Sequence, residues 1–248
     1  MKNGKKNTLS LVISIIGMLL LLAAILIGSF RITLYGDSNF KWLENEYIKY
    51  NVADNLNMTD ADRMKVTSHM MRFLIGYEDE LSIVINVEGK EQDFFNDQDR
   101  FHMGEVRNIF MSGIILGDIA LILVVIILVI VGILTINRDN KYVEFITVIS
   151  KGYFIACGIF FAIVAFIGAA FAIDFSRAFE IFHGLAFDNN LWLFDPNTDF
   201  MIRMLPEGLF MDAAFRAGAC FLIISGSILI ALVVLKLISK RTSSLRTK

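Results

Sequence analysis

The chain has 248 residues, 56% of them hydrophobic, a mean hydropathy of +0.61, and only 2 prolines and 2 cysteines, which excludes a disordered, collagen-like or disulfide-stapled protein. Its net charge of -2 hides a segregation: the 23 Lys+Arg and 25 Asp+Glu are separated by nearly charge-free stretches long enough to cross a ~30 Å hydrocarbon layer. A soluble domain does not carry such stretches, so the fold class is read as an α-helical polytopic membrane protein.

Residues 9–30 hold no charge, 108–137 hold only Asp118, 152–173 hold none, and 213–235 hold only Arg216, so four transmembrane helices are predicted. Lys2, Lys5 and Lys6 resemble the charged region of a secretory signal. The apolar run behind them exceeds a ~7–15-residue signal core, however, and no A-x-A site follows, so it is read as an uncleaved span. The chain divides into 1–32, terminus and first span; 33–107, a cap; 108–176, the second and third spans with a short loop; 177–212, an aromatic interfacial loop; and 213–248, the fourth span and a basic tail. The two termini and the loop after span two carry eleven basic residues against two acidic ones, whereas 33–107 carries 8 basic against 15 acidic and 177–212 carries 2 against 6. The positive-inside rule then puts both termini in the cytoplasm and both acidic segments outside. Cys157 and Cys220 fall inside spans, which leaves the outer segments without a thiol.

The outer cap is predicted to be small and mixed α/β. Thr59-Asp60-Ala61-Asp62 reads as a capping box with Asp in the place of Glu, opening a helix that Gly76 closes. Met64, Met71 and Leu74 mark its apolar side, and Asp62, Lys65, His69 and Arg72 its solvated one. Residues 81–87 are rich in Ile and Val, and Glu88-Gly89-Lys90 turns such a strand back. The second outer segment is dense in aromatics, from Phe179 through Trp192 to Phe210, and reads either as an interfacial belt or as a pocket for acyl chains. Asp195-Pro196-Asn197-Thr198 is a turn, and Pro206-Glu207 starts the helix into span four.

Three histidines separate by context. His69 reads as solvated. His102 lies one or two turns before span two, with Asp99 and Glu105 each three residues away on a helical count, so an orienting carboxylate is expected. His183 follows span three by a similar margin, which puts two imidazoles at one depth near the outer surface. The HxxxH pattern of helix-borne metal sites is incomplete, and axial haem ligands belong inside a bundle, so no metal or cofactor is expected. Asp118 lies within the bilayer, with Arg216 as a candidate partner. The Gly113-x-x-x-Gly117 spacing allows close helix packing.

Two blocks carry a resemblance. Arg100-Phe101-His102-Met103-Gly104-Glu105-Val106-Arg107, and 182–196, which read FHGLAFDNNLWLFDP and fit FHxxxFxNxxWxxDP, resemble the bacterial lipoprotein intramolecular transacylase family, and the order of spans and loops agrees along nearly the whole chain. An Asp is expected where Glu105 stands. The resemblance implies transfer of the sn-2 acyl chain of a diacylglyceryl lipoprotein to the α-amine of the same N-terminal cysteine. It implies His102 and His183 as the catalytic pair, dividing the base and oxyanion roles, without settling which is the base. Asp99, Glu105, Arg107, Asn190, Trp192 and Asp195 are taken as supporting residues. The partners implied are the lipoprotein substrate and membrane lipid, with no nucleotide or nucleic acid, since no phosphate-binding loop is present. Without a thiol outside, direct attack by the amine is expected rather than an acyl-enzyme. The rival reading is a non-enzymatic membrane sensor whose acidic cap binds a partner. A channel or transporter wants more intramembrane polar groups than one Asp118.

Overall fold

The computed structural model describes residues 2–136 and 142–246. Arg138, Asp139 and Lys141, part of the charge pattern after span two, and Lys248 of the basic tail lie outside the described residues. The elements in chain order are α1 (Lys2–Tyr35), α2 (Lys41–Lys49), α3 (Val52–Leu56), α4 (Asp60–Leu74), β1 (Val84–Val87), β2 (Lys90–Asp93), α5 (Asp97–Thr135), α6 (Val143–Ile173), α7 (Phe175–Ala186), α8 (Phe200–Met204) and α9 (Glu207–Arg246). Among the described residues four helices are long and apolar enough to cross a membrane, spanning Asn7–Tyr35, Asp97–Thr135, Val143–Ile173 and Glu207–Ser239, with mean hydropathies of 3.0, 3.4, 2.6 and 2.7 over their most apolar windows. Contacts divide the chain into two units, one of Met1–Ser29, Ile115–Ala169 and Gly218–Lys248, the other of Phe30–Ile114 and Ala170–Ala217.

The first unit is the apolar one. Its interior holds Met18, Leu22, Ile25, Val131, Val148, Ile149, Tyr153, Ala156 and Phe221, while many Ile, Leu and Val side chains point outward, as lipid-facing helices require. Burial of apolar surface adds little in lipid, so close packing and buried hydrogen bonds hold such helices together. Gly117 packs against Ile27 and Gly17 against Ile127, whereas Gly113 meets nothing, so only one glycine of the G-x-x-x-G pair makes a close approach. The Tyr153 hydroxyl donates to the Ser225 carbonyl at 2.7 Å, tying α6 to α9. A Cβ on Gly152 would fall 2.9 Å from Ser14 Cβ and 3.1 Å from the Ser14 carbonyl carbon. Backbone cannot give way as a side chain does, so Gly152→Ala is expected to cost about 1–3 kcal/mol. A lowered Tm in detergent tests this, and an unchanged Tm would show that α1 and α6 separate freely.

The second unit is mixed α/β, with a core that includes Phe40, Leu43, Tyr47, Val66, Met70, Phe94, Phe95, Met103 and Met204. Thr59 N-caps α4, its Oγ1 accepting from Asp62 N–H at 3.1 Å. Gly76 closes α4 at φ 84°, where the Tyr77 N–H returns to the Arg72 carbonyl at 2.9 Å in a Schellman pattern. β1 and β2 pair antiparallel from Val87 opposite Lys90 to Val84 opposite Asp93. Glu88 and Gly89 between them both have positive φ, as a tight two-residue hairpin turn requires.

Polar side chains tie this unit together. Arg63, within the presumed amphipathic α4, is only 1% exposed; it pairs with Asp60 at 2.8 Å and lies over the Tyr47 ring at 5.5 Å. His69 is not simply solvated, since its Nε2 sits 3.0 Å from the Glu80 carbonyl and 3.3 Å from the Ser82 N–H, tying α4 to the approach of β1. Arg216 lies over the Trp42 ring at 5.4 Å. Asp118 is exposed, with no hydrogen bond or ion pair among the described residues.

Candidate functional site

α5 begins on a reciprocal cap. The Asn96 side-chain oxygen accepts from Asp99 N–H, and Asp99 Oδ2 accepts from Asn96 N–H, both at 2.9 Å. Asp99, fully buried, therefore serves the helix start, and neither it nor Glu105 hydrogen-bonds His102. His102 stands one turn further on, 5% exposed, on the apolar face that also buries Met103.

α7 supplies the other imidazole. Asp174 caps the helix by accepting from Arg177 N–H at 3.0 Å, and His183 in its last turn is 7% exposed. Its Nδ1 lies 2.8 Å from the Phe179 carbonyl. A carbonyl only accepts, so Nδ1 carries the proton and Nε2 keeps its lone pair. Burial pushes the His183 pKa below its ordinary value, against the smaller opposing effect of the Phe179 carbonyl, so the ring is neutral near pH 7.

The two rings lie 6.0 Å apart between centroids, tilted by 32°. Aromatic side chains enclose them: Phe187 at 4.8 Å and Phe194 at 5.4 Å from His102, and Phe179 at 3.9 Å and Trp192 at 5.1 Å from His183. Part of the aromatic-rich segment thus lines this site rather than serving only as a belt. Polar bonds to the start of α5 position the segment. Gln98 Nε2 donates to the Leu191 and Leu193 carbonyls at 3.0 and 3.1 Å. Asn96 Nδ2 donates to Asp199 Oδ1 at 2.8 Å, and Asp199 Oδ2 accepts from Asp195 N–H at 2.8 Å.

Of the supporting residues, Glu105 and Trp192 come to the histidines. Glu105 Oε2 is 3.9 Å from His102 Nδ1, beyond a hydrogen bond, while its Oε1 accepts from Asn189 Nδ2 at 2.8 Å. Asn189, not Asn190, therefore makes the contact, and Asn190 is exposed. Arg107 turns the other way, donating to the Glu78 carbonyl at 3.0 Å and lying over Phe73 at 4.8 Å. Asp195 is exposed and holds its own turn by accepting from Asn197 N–H at 2.9 Å. Sequence reasoning missed Asn96, Gln98 and Asp199. Asn96 left a local signal, as the first residue of an Asn-x-x-Asp capping box, and Thr198-Asp199 continue the second block of the resemblance.

Among the described residues, Asp99 Oδ1, His102 Nδ1, Glu105 Oε2 and Trp192 Nε1 in this region are buried without a hydrogen-bond partner. Unmet polar groups are costly, and their gathering at one place makes this region the candidate site. Among the described residues no three His, Cys, Asp or Glu side chains are grouped to hold a metal.

The architecture defines a membrane-integral helical protein with a paired-imidazole site enclosed by aromatic rings. Residues 15–210 match the model of the lipoprotein intramolecular transacylase Lit family, and the chain belongs to that family, membrane enzymes that transfer an acyl group within a lipoprotein. No curated protein matches the chain. It is similar to the solved structure of the membrane-integral transacylase Lit from Bacillus cereus, with 25% identity, a TM-score of 0.66, and coverage of 95% of this chain and 99% of that one. Two further structures of the same Bacillus cereus protein, in which one histidine is replaced by alanine or by arginine, share the fold at 23% identity and TM-scores of 0.66 and 0.65. They cover 95% and 96% of this chain and 97% and 96% of theirs. With the family established, the sensor reading gives way to an enzyme.

Proposed function

We infer that the enzyme moves the sn-2 acyl chain of a diacylglyceryl lipoprotein to the α-amine of the same N-terminal cysteine. The observation that carries this is the pair of buried imidazoles 6.0 Å apart, one with its Nε2 lone pair free. The amine attacks the ester carbonyl, a C–N bond forms and the glyceryl C–O bond breaks. One proton passes from the amine to the leaving alkoxide, and no atom is gained or lost. His183 Nε2 takes the amine proton and passes it to the departing oxygen, while His102 donates a hydrogen bond to the oxyanion. Both reacting groups belong to one substrate, so holding them in attack geometry supplies as much as ~7–11 kcal/mol, and the enclosing aromatic rings serve that end. Glu105 with Asn189, and Trp192, support the pair, and Asp99 does so through the start of α5. The acidic charge of 33–107 and 177–212 supports placing this site on the extracytoplasmic face of a bacterial membrane with both termini inside.

The test is expression in a host that makes diacylglyceryl lipoproteins, followed by tandem mass spectrometry of an N-terminal lipopeptide. An acyl group on the cysteine nitrogen at unchanged total mass is expected. An amine left free by the folded, inserted enzyme would overturn the reading.

The pH profile separates the two titrating groups. Since the His183 pKa is lowered, its base form persists below the ordinary value of ~6.5, whereas the α-amine with a reference value of ~7.7–8.0 is largely protonated at pH 7. Transacylation in detergent is therefore expected to rise to about pH 8 with a midpoint set by the amine. A midpoint near 6.5 would mean that imidazole titration limits the rate instead.

A further inference from the structure

The second unit contains a cleft away from the histidine pair. Met111, which lines it, is nine residues beyond His102 on α5, roughly two and a half turns, and so on the opposite face of that helix. The cleft has a volume of about 600 Å³, within the ~300–1,000 Å³ of small-molecule sites. Arg31, Arg72, Ser38, Ser68 and Tyr77 provide its polar lining. None of its lining residues is acidic, although residues 33–107 carry 15 acidic side chains against 8 basic ones. Arg31 is exposed and makes no ion pair or hydrogen bond among the described residues. Arg72 spends its Nε on Glu78 at 2.7 Å and holds its guanidinium over the Tyr77 ring at 5.8 Å, which leaves its two terminal nitrogens without an acceptor among the described residues. Two guanidinium groups facing a cleft with serine hydroxyls suit a phosphate, which accepts several charge-assisted hydrogen bonds at once.

Depth identifies the source of that phosphate. Arg31 is the first charge after the apolar run 9–30, and Met111 and Ile114 open the run that begins at residue 108. The cleft therefore lies at the boundary between apolar and polar chain, the level of lipid headgroups. Ile32, Ile75, Met111 and Ile114 supply the apolar wall that acyl chains need and a free phosphate does not.

We propose that this cleft binds the headgroup of an anionic glycerophospholipid, with Arg31 and Arg72 on its phosphate. The test is thermal unfolding of the full chain in a neutral detergent with dioleoylphosphatidylglycerol, dioleoylphosphatidylcholine or inorganic phosphate added. Phosphatidylglycerol is expected to raise Tm to a plateau; phosphatidylcholine, whose trimethylammonium group the two guanidinium groups repel, and inorganic phosphate, which lacks acyl chains, are not. Arg31→Gln should weaken the phosphatidylglycerol effect roughly tenfold and Arg31→Glu should remove it. Arg31 has no partner to lose among the described residues, so both variants should match wild type in phosphatidylcholine. Equal shifts from the two lipids, an undiminished shift in Arg31→Glu, or an equal shift from inorganic phosphate would each overturn the proposal, the last by revealing a free-anion site. Native mass spectrometry of the wild type from mixed micelles gives a reading that depends on no variant. Selective retention of one phosphatidylglycerol per chain supports the site, and equal retention of both lipids refutes it.

Discussion

Transacylation is expected to fall by roughly 10²–10⁴-fold in His102→Ala and in His183→Ala, the range over which a positioned acid or base contributes. The double variant should be little worse than the poorer single one, because the two rings act on one transition state and groups that act as a unit are not additive. Both side chains are nearly buried, at 5% and 7% exposure, so truncation also opens a space beneath Phe187. His102→Gln and His183→Gln separate that packing loss from the chemistry, since glutamine fills most of the ring's volume and lacks the basic nitrogen. The measured quantity is the fraction of N-terminal lipopeptide acylated on nitrogen, with the variants shown to be folded by their Tm in detergent. If both alanine variants acylate as wild type does, the proposed roles fail. Activity in the glutamine variants alone would reduce the imidazoles to packing residues.

The second large effect is expected far from any reacting atom. Asp199→Ala removes the acceptor of two hydrogen bonds, from Asn96 Nδ2 and from Asp195 N–H, both 2.8 Å. Asp199 is 7% exposed, and leaving its donors unmet costs about 1–3 kcal/mol. The same bonds join the start of α5 to the segment bearing Trp192 and Phe194, so their loss loosens the aromatic enclosure on both histidines. A displacement of the order of 1 Å at a positioned site costs up to ~10²-fold, so activity should fall by roughly 10- to 100-fold. Asp199→Asn keeps one oxygen acceptor and should recover part of both losses. An Asp199→Ala enzyme with a lowered Tm and wild-type turnover would show that the segment holds its place without this residue.

Helix geometry already contained part of the answer about the supporting residues. Asp99, Glu105 and His102 are spaced by three, on one face, whereas Arg107 is five residues from His102 and about 140° round the helix. Its bond to the Glu78 carbonyl follows from that angle. Asn189 and Asn190 are a different case. They are adjacent in a loop of no regular period, and the N of FHxxxFxNxxWxxDP falls on Asn189, the one that turns toward Glu105 beside the Gln98 bond to the Leu191 carbonyl. Arg63 is buried for a related reason. Its charge marks it for solvent, yet Asp60 and the Tyr47 ring offset its burial, and Tyr47 comes from a different helix.

The sequence by itself determined the four apolar helices, the segregation of charge, the caps at Thr59 and Gly76, the hairpin turn at Glu88-Gly89 and the two histidine-bearing blocks. All of these are local, because hydropathy, capping and turn chemistry depend on residues within a few positions of one another. Tertiary structure alone decided that His102 and His183, 81 positions apart, lie side by side, that Asp199 anchors the enclosure, and that Arg31 and Arg72 share a cleft. These depend on packing between elements distant in the chain, where the partner of a buried polar atom is chosen by three-dimensional proximity and leaves no period or spacing to read.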